Sequence, residues 1–443
     1  MSITVTSGLV SSIDYQALID QLVSVKRQPI DQLQAQQDTY KSASSAYDTL
    51  QSRLQDLKSA ADDLRTAVDF KLFKTSVSDS TILDATASTS ASAGSYNIVV
   101  KALAKSHKIA ADGVASDTSI ISSVAGTFKF KVGSGSEQSV SVDTSTTLTD
   151  LRDAINSLDA GVTATIVNDG SSTNPYRLIL TSDSTGASNA ITITNNDTDL
   201  VFSTTLQPAQ DANITVDSLD IYRSSNTISD VITGVTLDLN SSDSTKTVTL
   251  TVNRDEDEIK TKITAFLDKY NAVVSHIRAN NRYDTDTKVA GPFYGDPIAR
   301  SVWEDLRRIM TSEVSGLPST MNRLIHVGAE TDLEGKMSLD SSTLSDALKT
   351  NFDDVVNLFV DGTSTDGFAS LIYDMVDDML DTADGRVTRK QSGLATTIDN
   401  LDDEIREKEE ELAVYQEQLR LQFASLETLL SGLQAQGNFL SSL

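Results

Sequence analysis

The 443-residue sequence predicts a multidomain α+β protein in which a discontinuous terminal stalk, coiled coil at its tip and helical bundle below, carries inserted β-rich domains. Two observations predict it. Near the front, apolar or aromatic residues recur at Leu33, Tyr40, Tyr47, Leu50, Leu54, Leu57, Ala61, Leu64 and Val68. Near the back they recur at Leu394, Ile398, Leu401, Ile405, Leu412, Tyr415, Leu419, Phe423, Leu426, Leu430 and Leu433. Steps of three, four and seven residues place each set on one face of a helix, with the spacing that coiled-coil packing needs. Such a stripe must be covered, and the nearest partner for each chain end is the other end. Between them, from about Lys74 to about Asn253, the composition turns to Ser, Thr, Asn, Asp and β-branched residues, which is strand chemistry.

In chain order, Asp14 is placed to cap a first short helix with Leu18, Leu22 and Val25 on its apolar face. Pro29 lacks an N–H and is expected to kink or restart the helix, which then runs from about Asp31 to about Phe70 without glycine or proline. Strands are expected over Tyr96–Val100, Thr127–Val132, Val162–Val167, Tyr176–Leu180 and Thr247–Val252. One helix interrupts them, where Thr147 and Asp150 form a capping box ahead of Leu148, Leu151, Ile155 and Leu158. Past Arg254, Asp255 and Glu256 open a helix carrying Ile259, Ile263, Phe266, Leu267 and Tyr270. Further helices are expected over Trp303–Met310, Ser341–Lys349, Phe352–Phe359 and Phe368–Asp381, with a final rod from about Gln391 that would run about 80 Å at 1.5 Å per residue. This reading divides the chain into terminal leg helices (1–40 and 416–443), a helical-bundle domain (41–73 and 254–415), an inner β-rich domain (74–112 and 206–253) and an outer α+β domain (113–205).

Charge sharpens the picture of the stalk. The net charge of −27 argues against nucleic acid, whose binders must supply Lys and Arg in place of counterions, and against an anionic membrane surface. No stretch has the length of a membrane-spanning helix, and no basic leader with an apolar core opens the sequence. Cysteine is absent, which removes thiolate chemistry and disulfides together. The segment Asp402–Glu411 is densely charged, yet beyond Arg420 only Glu427 carries charge, and before Lys26 only Asp14 and Asp20 do. Both ends therefore converge on an apolar tip, an aggregation hazard unless something covers it. Leu18, Leu22, Val25, Leu419, Phe423, Leu426, Leu430 and Leu433 are the expected assembly surface. Closure of an intramolecular bundle accounts for Tyr40 to Val68 and leaves the outer tips unexplained.

No catalytic constellation emerges. His107, His276 and His326 stand far apart and read as surface or packing residues. Phosphate-binding glycine loops and the nucleophile elbow are missing, and Gly133-Ser134-Gly135 reads as a hairpin turn. Asp284-Thr285-Asp286-Thr287-Lys288 starts like a calcium loop but puts Lys288 where an oxygen ligand belongs, so a polar turn is expected. Acidic residues are abundant, but no two are marked as a glycosidase pair. The expectation is a protein that is not an enzyme and has no cofactor or metal.

Several segments together resemble the flagellar filament-capping family, hook-associated protein 2. These are Ser7-Gly8-Leu9-Val10-Ser11-Ser12-Ile13-Asp14 through Arg27-Gln28-Pro29-Ile30-Asp31; Phe266 to Tyr270-Asn271-Ala272-Val273; Gly295-Asp296-Pro297; and Gly335-Lys336-Met337-Ser338-Leu339-Asp340 on to Leu358-Phe359. Thr147 to Ile155-Asn156, followed by Gly161-Val162-Thr163-Ala164 and Tyr176-Arg177-Leu178, resembles the repeat of flagellar hook and cap proteins named for its Ile-Asn pair. Ser12 stands where the family often has glycine. The resemblance implies an extracellular protein at the flagellar filament tip, exported by the flagellum's type III pathway without a cleaved signal. It implies a homo-oligomeric ring whose terminal helices are legs and whose β-rich domains form a plate beneath which flagellin is retained, folded and inserted. Its implied partners are further copies of itself, flagellin, hook-filament junction proteins and an export chaperone. An alternative from another class is a surface adhesin whose β-rich domains bind host or surface glycans.

Overall fold

The computed structural model describes residues 14–362 and 366–441, with side chains as far as Asn438. The first thirteen residues of the expected leg, including most of the opening motif, lie outside the described residues, as do 363–365. The chain divides into two compact units. One is built from both ends, up to Phe70 and from Asp257 onward; the other is the contiguous stretch Lys71–Glu256.

The first unit begins with α1, Tyr15–Asp62, whose first turn is capped by the Asp14 carboxylate accepting from the Ala17 N–H at 3.0 Å. Pro29 lies inside this helix, which runs on through it, so the helix does not restart there. A proline deletes one helical hydrogen bond and crowds the carbonyl four residues back. Here that carbonyl belongs to the exposed Val25, where water can reach it, and the next residue, Ile30, is buried with Ile405 and Leu412. Tertiary packing thus overrides the local penalty. The helix also stops earlier than its stripe suggests. Asp62 pairs with Arg65, and the Asp69 carboxylate accepts from the N–H and hydroxyl of Thr66, so the chain turns; Leu64 and Phe70 stay buried while Val68 is turned out to solvent.

The contiguous unit holds β1 (Phe73–Val77), β2 (Leu83–Ala87), β3 (Gly94–Ala102), β4 (Ser106–Ala110), β5 (Gly126–Val132), β6 (Gln138–Val142), α2 (Leu148–Ser157), β7 (Val162–Asn168), β8 (Tyr176–Thr185), β9 (Ile191–Asn196), β10 (Thr204–Gln207), β11 (Ala212–Val216), β12 (Leu219–Arg223), β13 (Thr227–Ile232), β14 (Val235–Leu239) and β15 (Val248–Arg254). It has two cores. In one, the antiparallel sheets β1-β15-β3-β11-β12 and β13-β14-β2 enclose Leu83, Ile98, Val100, Ile214, Leu237 and Leu250. In the other, sheets β10-β4-β8-β7 and β6-β5-β9 pack with α2 around Phe128, Phe130, Leu151, Ile155 and Leu180. The capping box of Thr147 and Asp150 is present in full. Leu158, expected on the apolar face of α2, instead caps its C-terminus and is partly exposed. Gly133, at φ 53°, makes the β5–β6 hairpin turn that its sequence suggested.

The first unit continues with α3 (Glu256–Asn280), the hairpin β16 (Tyr283–Asp284) and β17 (Val289–Ala290), α4 (Pro297–Thr311), the hairpin β18 (Ala329–Thr331) and β19 (Met337–Leu339), α5 (Ser341–Thr350), α6 (Phe352–Phe359), α7 (Phe368–Leu380) and α8 (Arg386–Ser441). Tyr47, Leu50, Leu54, Leu57 and Ala61 of α1 are fully buried, together with Ile259, Phe266 and Tyr270 of α3 and Phe368, Ile372 and Val376 of α7. The ring of Phe359 joins Phe70 and Phe266, at 6.0 and 6.4 Å between centroids. The Asp284 to Lys288 segment is the β16–β17 turn, with the Asp284 carboxylate accepting from the N–H groups of Asp286 and Thr287.

Candidate functional site: the paired terminal helices

α1 and α8 run antiparallel, and their contacts change in kind along their length. In the lower half the pair is held by directional polar contacts. The Asp296 carboxylate caps α4 by accepting from the N–H groups of Ile298 and Ala299, accepts the Tyr47 hydroxyl of α1 at 2.7 Å, and pairs with Lys390 of α8 at 3.0 Å. One nearly enclosed carboxylate thus joins three helices. Burial by itself would raise its pKa, but the bonds from Tyr47, Lys390 and the Ala299 N–H outweigh burial and hold it below the ordinary value. Burial, reinforced by the hydrogen bond to Asp296, raises the Tyr47 phenol. Nearby, Gln391 of α8 donates to Asp48 at 2.8 Å. The last such contact is Gln37, buried on α1, which donates to Asp402 at 3.2 Å and accepts from Lys41 at 2.8 Å.

Above Gln37 the pairing is apolar. Ile30, Ile405 and Leu412 form a small core flanked by Val23 and Leu33, Ile19 is buried, and the rings of Tyr15 and Phe423 meet at 5.2 Å. The eight residues expected to form the assembly surface are divided by this geometry. Leu419, 8% exposed, and Phe423, against Tyr15, help to pair the two helices within one chain. Leu430 is half-buried. Leu18, Leu22 and Val25 on α1 expose 39%, 40% and 63% of their surface, and Leu426 and Leu433 on α8 expose 46% and 56%. Leu421 and Leu429 are exposed as well, and the sequence reading missed them because it followed a single stripe; a second stripe one flank away was the available signal. Tyr15 was missed because it sits at the first helical position, although its spacing to Ile19 is helical.

The sites considered for chemistry resolve into structural contacts. His107 accepts the Ile191 N–H through Nδ1 at 2.9 Å, and His276 donates through Nε2 to the Ala46 carbonyl at 2.8 Å; burial lowers the pKa of both. Among the described residues, no group of three or more His, Asp or Glu is arranged to hold a metal ion, and no helix is long and apolar enough to cross a membrane.

Known proteins are similar to this chain in sequence and architecture. Residues 209–435 match the family described as flagellar hook-associated protein 2 C-terminus, residues 11–107 its N-terminal counterpart, and residues 127–184 the flagellin hook IN motif. The B-type flagellar hook-associated protein 2 of Pseudomonas aeruginosa is 31% identical over 386 residues, covering 80% of this chain and 78% of that protein. The flagellar hook-associated protein 2 of Escherichia coli K12 is 28% identical over 458 residues, covering 98% and 96%. The crystal structure of the D1-D2-D3 domains of the flagellar cap protein FliD from Escherichia coli superposes with a TM-score of 0.67 at 28% identity, over 79% of this chain and 99% of that one.

Proposed function

The chain belongs to the flagellar hook-associated protein 2 family, and from that membership we propose that it works as a filament cap, a non-enzymatic assembly factor. In this reading several copies form a ring at the filament tip, retain flagellin subunits as they emerge, and promote their folding and insertion beneath the β-rich unit. The protein would travel through the flagellum's own export channel, attended by a chaperone, and would meet the hook-filament junction proteins before the first flagellin arrives.

The observation that carries this reading is the tip of the α1–α8 pair. A long two-helix rod that leaves Leu18, Leu22, Val25, Leu426 and Leu433 exposed is costly for a monomer in water. It suits a leg that buries the same side chains against other helices.

A strain lacking the gene should build hooks and export flagellin yet release it into the medium as soluble protein. The full-length chain should restore filaments. A chain carrying Leu426→Asp and Leu430→Asp should fold and be exported but leave flagellin in the supernatant. Normal filaments without the protein, or full rescue by the double variant, would exclude this mechanism.

A further inference from the structure

Asn156, the second residue of the Ile-Asn pair, does something its neighbour does not. Ile155 goes into the core, fully buried. Asn156 turns the other way: its Oδ1 accepts the Ala164 N–H at 2.7 Å and its Nδ2 donates to the Ala164 carbonyl at 2.9 Å. Ala164 is the third residue of β7, and β7 is the last strand of the sheet β10-β4-β8-β7. The side-chain amide therefore occupies the place of a peptide group in a missing fifth strand, satisfying donor and acceptor of one residue as a strand neighbour would. The geometry depends on a tight return from α2, made through Asp159 and Gly161 at φ 45° and 76°.

The same arrangement recurs. Asn226 brackets the N–H and C=O of Ala104, at 2.7 and 3.1 Å. Asn271 of α3 brackets those of Met337 in β19, at 2.7 Å each. Three asparagines, on three separate stretches of backbone, each satisfy both main-chain groups of one residue.

We propose that Asn156 is a specificity-determining residue that closes the β7 edge against strand addition by a second copy of this chain. An open edge strand is a template for another extended backbone, and natural sheets block such edges with charge, proline or cover. β7 carries no Lys, Arg or Pro over Val162–Asn168. With Ala164 occupied, the continuous edge beyond it is Ile166 to Asn168, shorter than the roughly five or six residues of a typical strand. This does not depend on the cap reading, because any association through the helical tips is common to all the variants compared.

The test uses the full chain with Asn156→Ala, followed by sedimentation over a range of concentrations and by hydrogen exchange at single amides. The Ala164 amide should exchange at least about tenfold faster at low concentration, the loss expected for one net hydrogen bond. Self-association beyond that of the wild type should appear as concentration rises, with the Ala164 and Ile166 amides becoming protected again. Adding Ile166→Pro should abolish the extra association, since Ile166 presents its N–H on the same edge as Ala164 and proline has none. If Asn156→Ala does not fold, Asn156→Asp is the second variant. It keeps an acceptor for the Ala164 N–H but sets a carboxylate against the Ala164 carbonyl, and its charge still guards the edge, so it should fold and stay at the wild-type association state. A folded Asn156→Ala chain with faster Ala164 exchange and no new association would assign the residue to stability alone and overturn the proposal, as would new association by Asn156→Asp.

Discussion

Leu50, Leu54 and Leu57 on α1 and Leu426 and Leu433 on α8 obey the same helical spacing, yet the first three have no accessible surface while the last two expose 46% and 56%. The difference lies in what surrounds them. The lower half of the α1–α8 pair is covered by α3, α4 and α7 and pinned by the Asp296, Gln391 and Gln37 contacts. Among the described residues, the upper half is flanked by the partner helix alone. Two helices can bury one seam between them, and every flank residue outside that seam stays in water. An apolar stripe is thus a statement that a surface needs covering, and the same stripe is enclosed where neighbours exist and left in water where they do not.

The largest effect that tests this division is Leu57→Ala. A fully enclosed leucine in the bundle should cost about 3 kcal/mol, lost contact plus residual cavity, read as a fall in the urea midpoint of the first unit. Only a small change would mean the bundle is loosely packed and the contrast with the tip is false. Next in size is Asp296→Asn, which keeps shape and the helix cap but removes the charge facing Lys390. Leaving that ammonium without its partner in a half-enclosed site should cost about 2 kcal/mol. The sign of its pH dependence follows. Because the folded carboxyl lies below its ordinary 3.8, its contribution is complete above the unfolded chain's value and fades as pH falls through the lower folded one. The wild type should lose stability on acidification below about pH 4, and Asp296→Asn should lose less over the same window. Equal slopes in both would remove Asp296 from the account.

Gln37 marks the border between the two halves, and Gln37→Leu should sharpen it. Removing a buried polar side chain costs little where the partners it leaves can turn to water, so the change here should lie within about 1 kcal/mol of zero. Asp402 is exposed and Lys41 can reach water, so neither is stranded. Thermal unfolding should stay level or rise slightly; a fall of several degrees would show that the polar contact holds the pair together instead of merely bounding it.

Much of this architecture was legible because burial imposes a period. The strand runs at Tyr96, Thr127, Val162 and Tyr176, the capping box at Thr147 and the helix from Glu256 all appear where the alternation put them. The failures were local rules overruled by packing. Pro29 allows a restart of the helix, but Ile30 anchors the next turn and the helix runs through; the glycine-free stretch to Phe70 predicts a rod, but the Asp69 side chain captures Thr66 and the chain turns. At the candidate site, the stripe identified Leu18, Leu22, Val25, Leu426 and Leu433 as apolar, and nothing in one helix could tell that Leu419 and Phe423 would be claimed by the chain's own Ile19 and Tyr15 region. Asn156 was visible only as half of a motif. Its two hydrogen bonds to Ala164 depend on a return of the chain that spacing does not encode.

The smallest expected effect on stability is the most telling for the comparison. Leu22→Ser and Leu429→Ser remove apolar side chains from opposite helices at the tip, and both residues already face water in the free chain, at 40% and 61% exposure. Surface substitutions away from caps and networks shift stability by about 0.5 kcal/mol or less, so the double variant should unfold within a degree or two of the wild type. The same change should weaken assembly measurably, because the surface it removes would be fully desolvated only when further helices pack on it, and an apolar leucine buried at such a contact contributes about 1.5–3 kcal/mol. Sedimentation of the two proteins at matched concentrations, alongside their melting curves, reads both quantities. If the double variant melts as low as Leu57→Ala, the tip belongs to the monomer's own fold; if it melts normally and still assembles as well as the wild type, the exposed leucines are not the contact. The combination of an unchanged melt and weaker assembly is what a surface reserved for other helices requires.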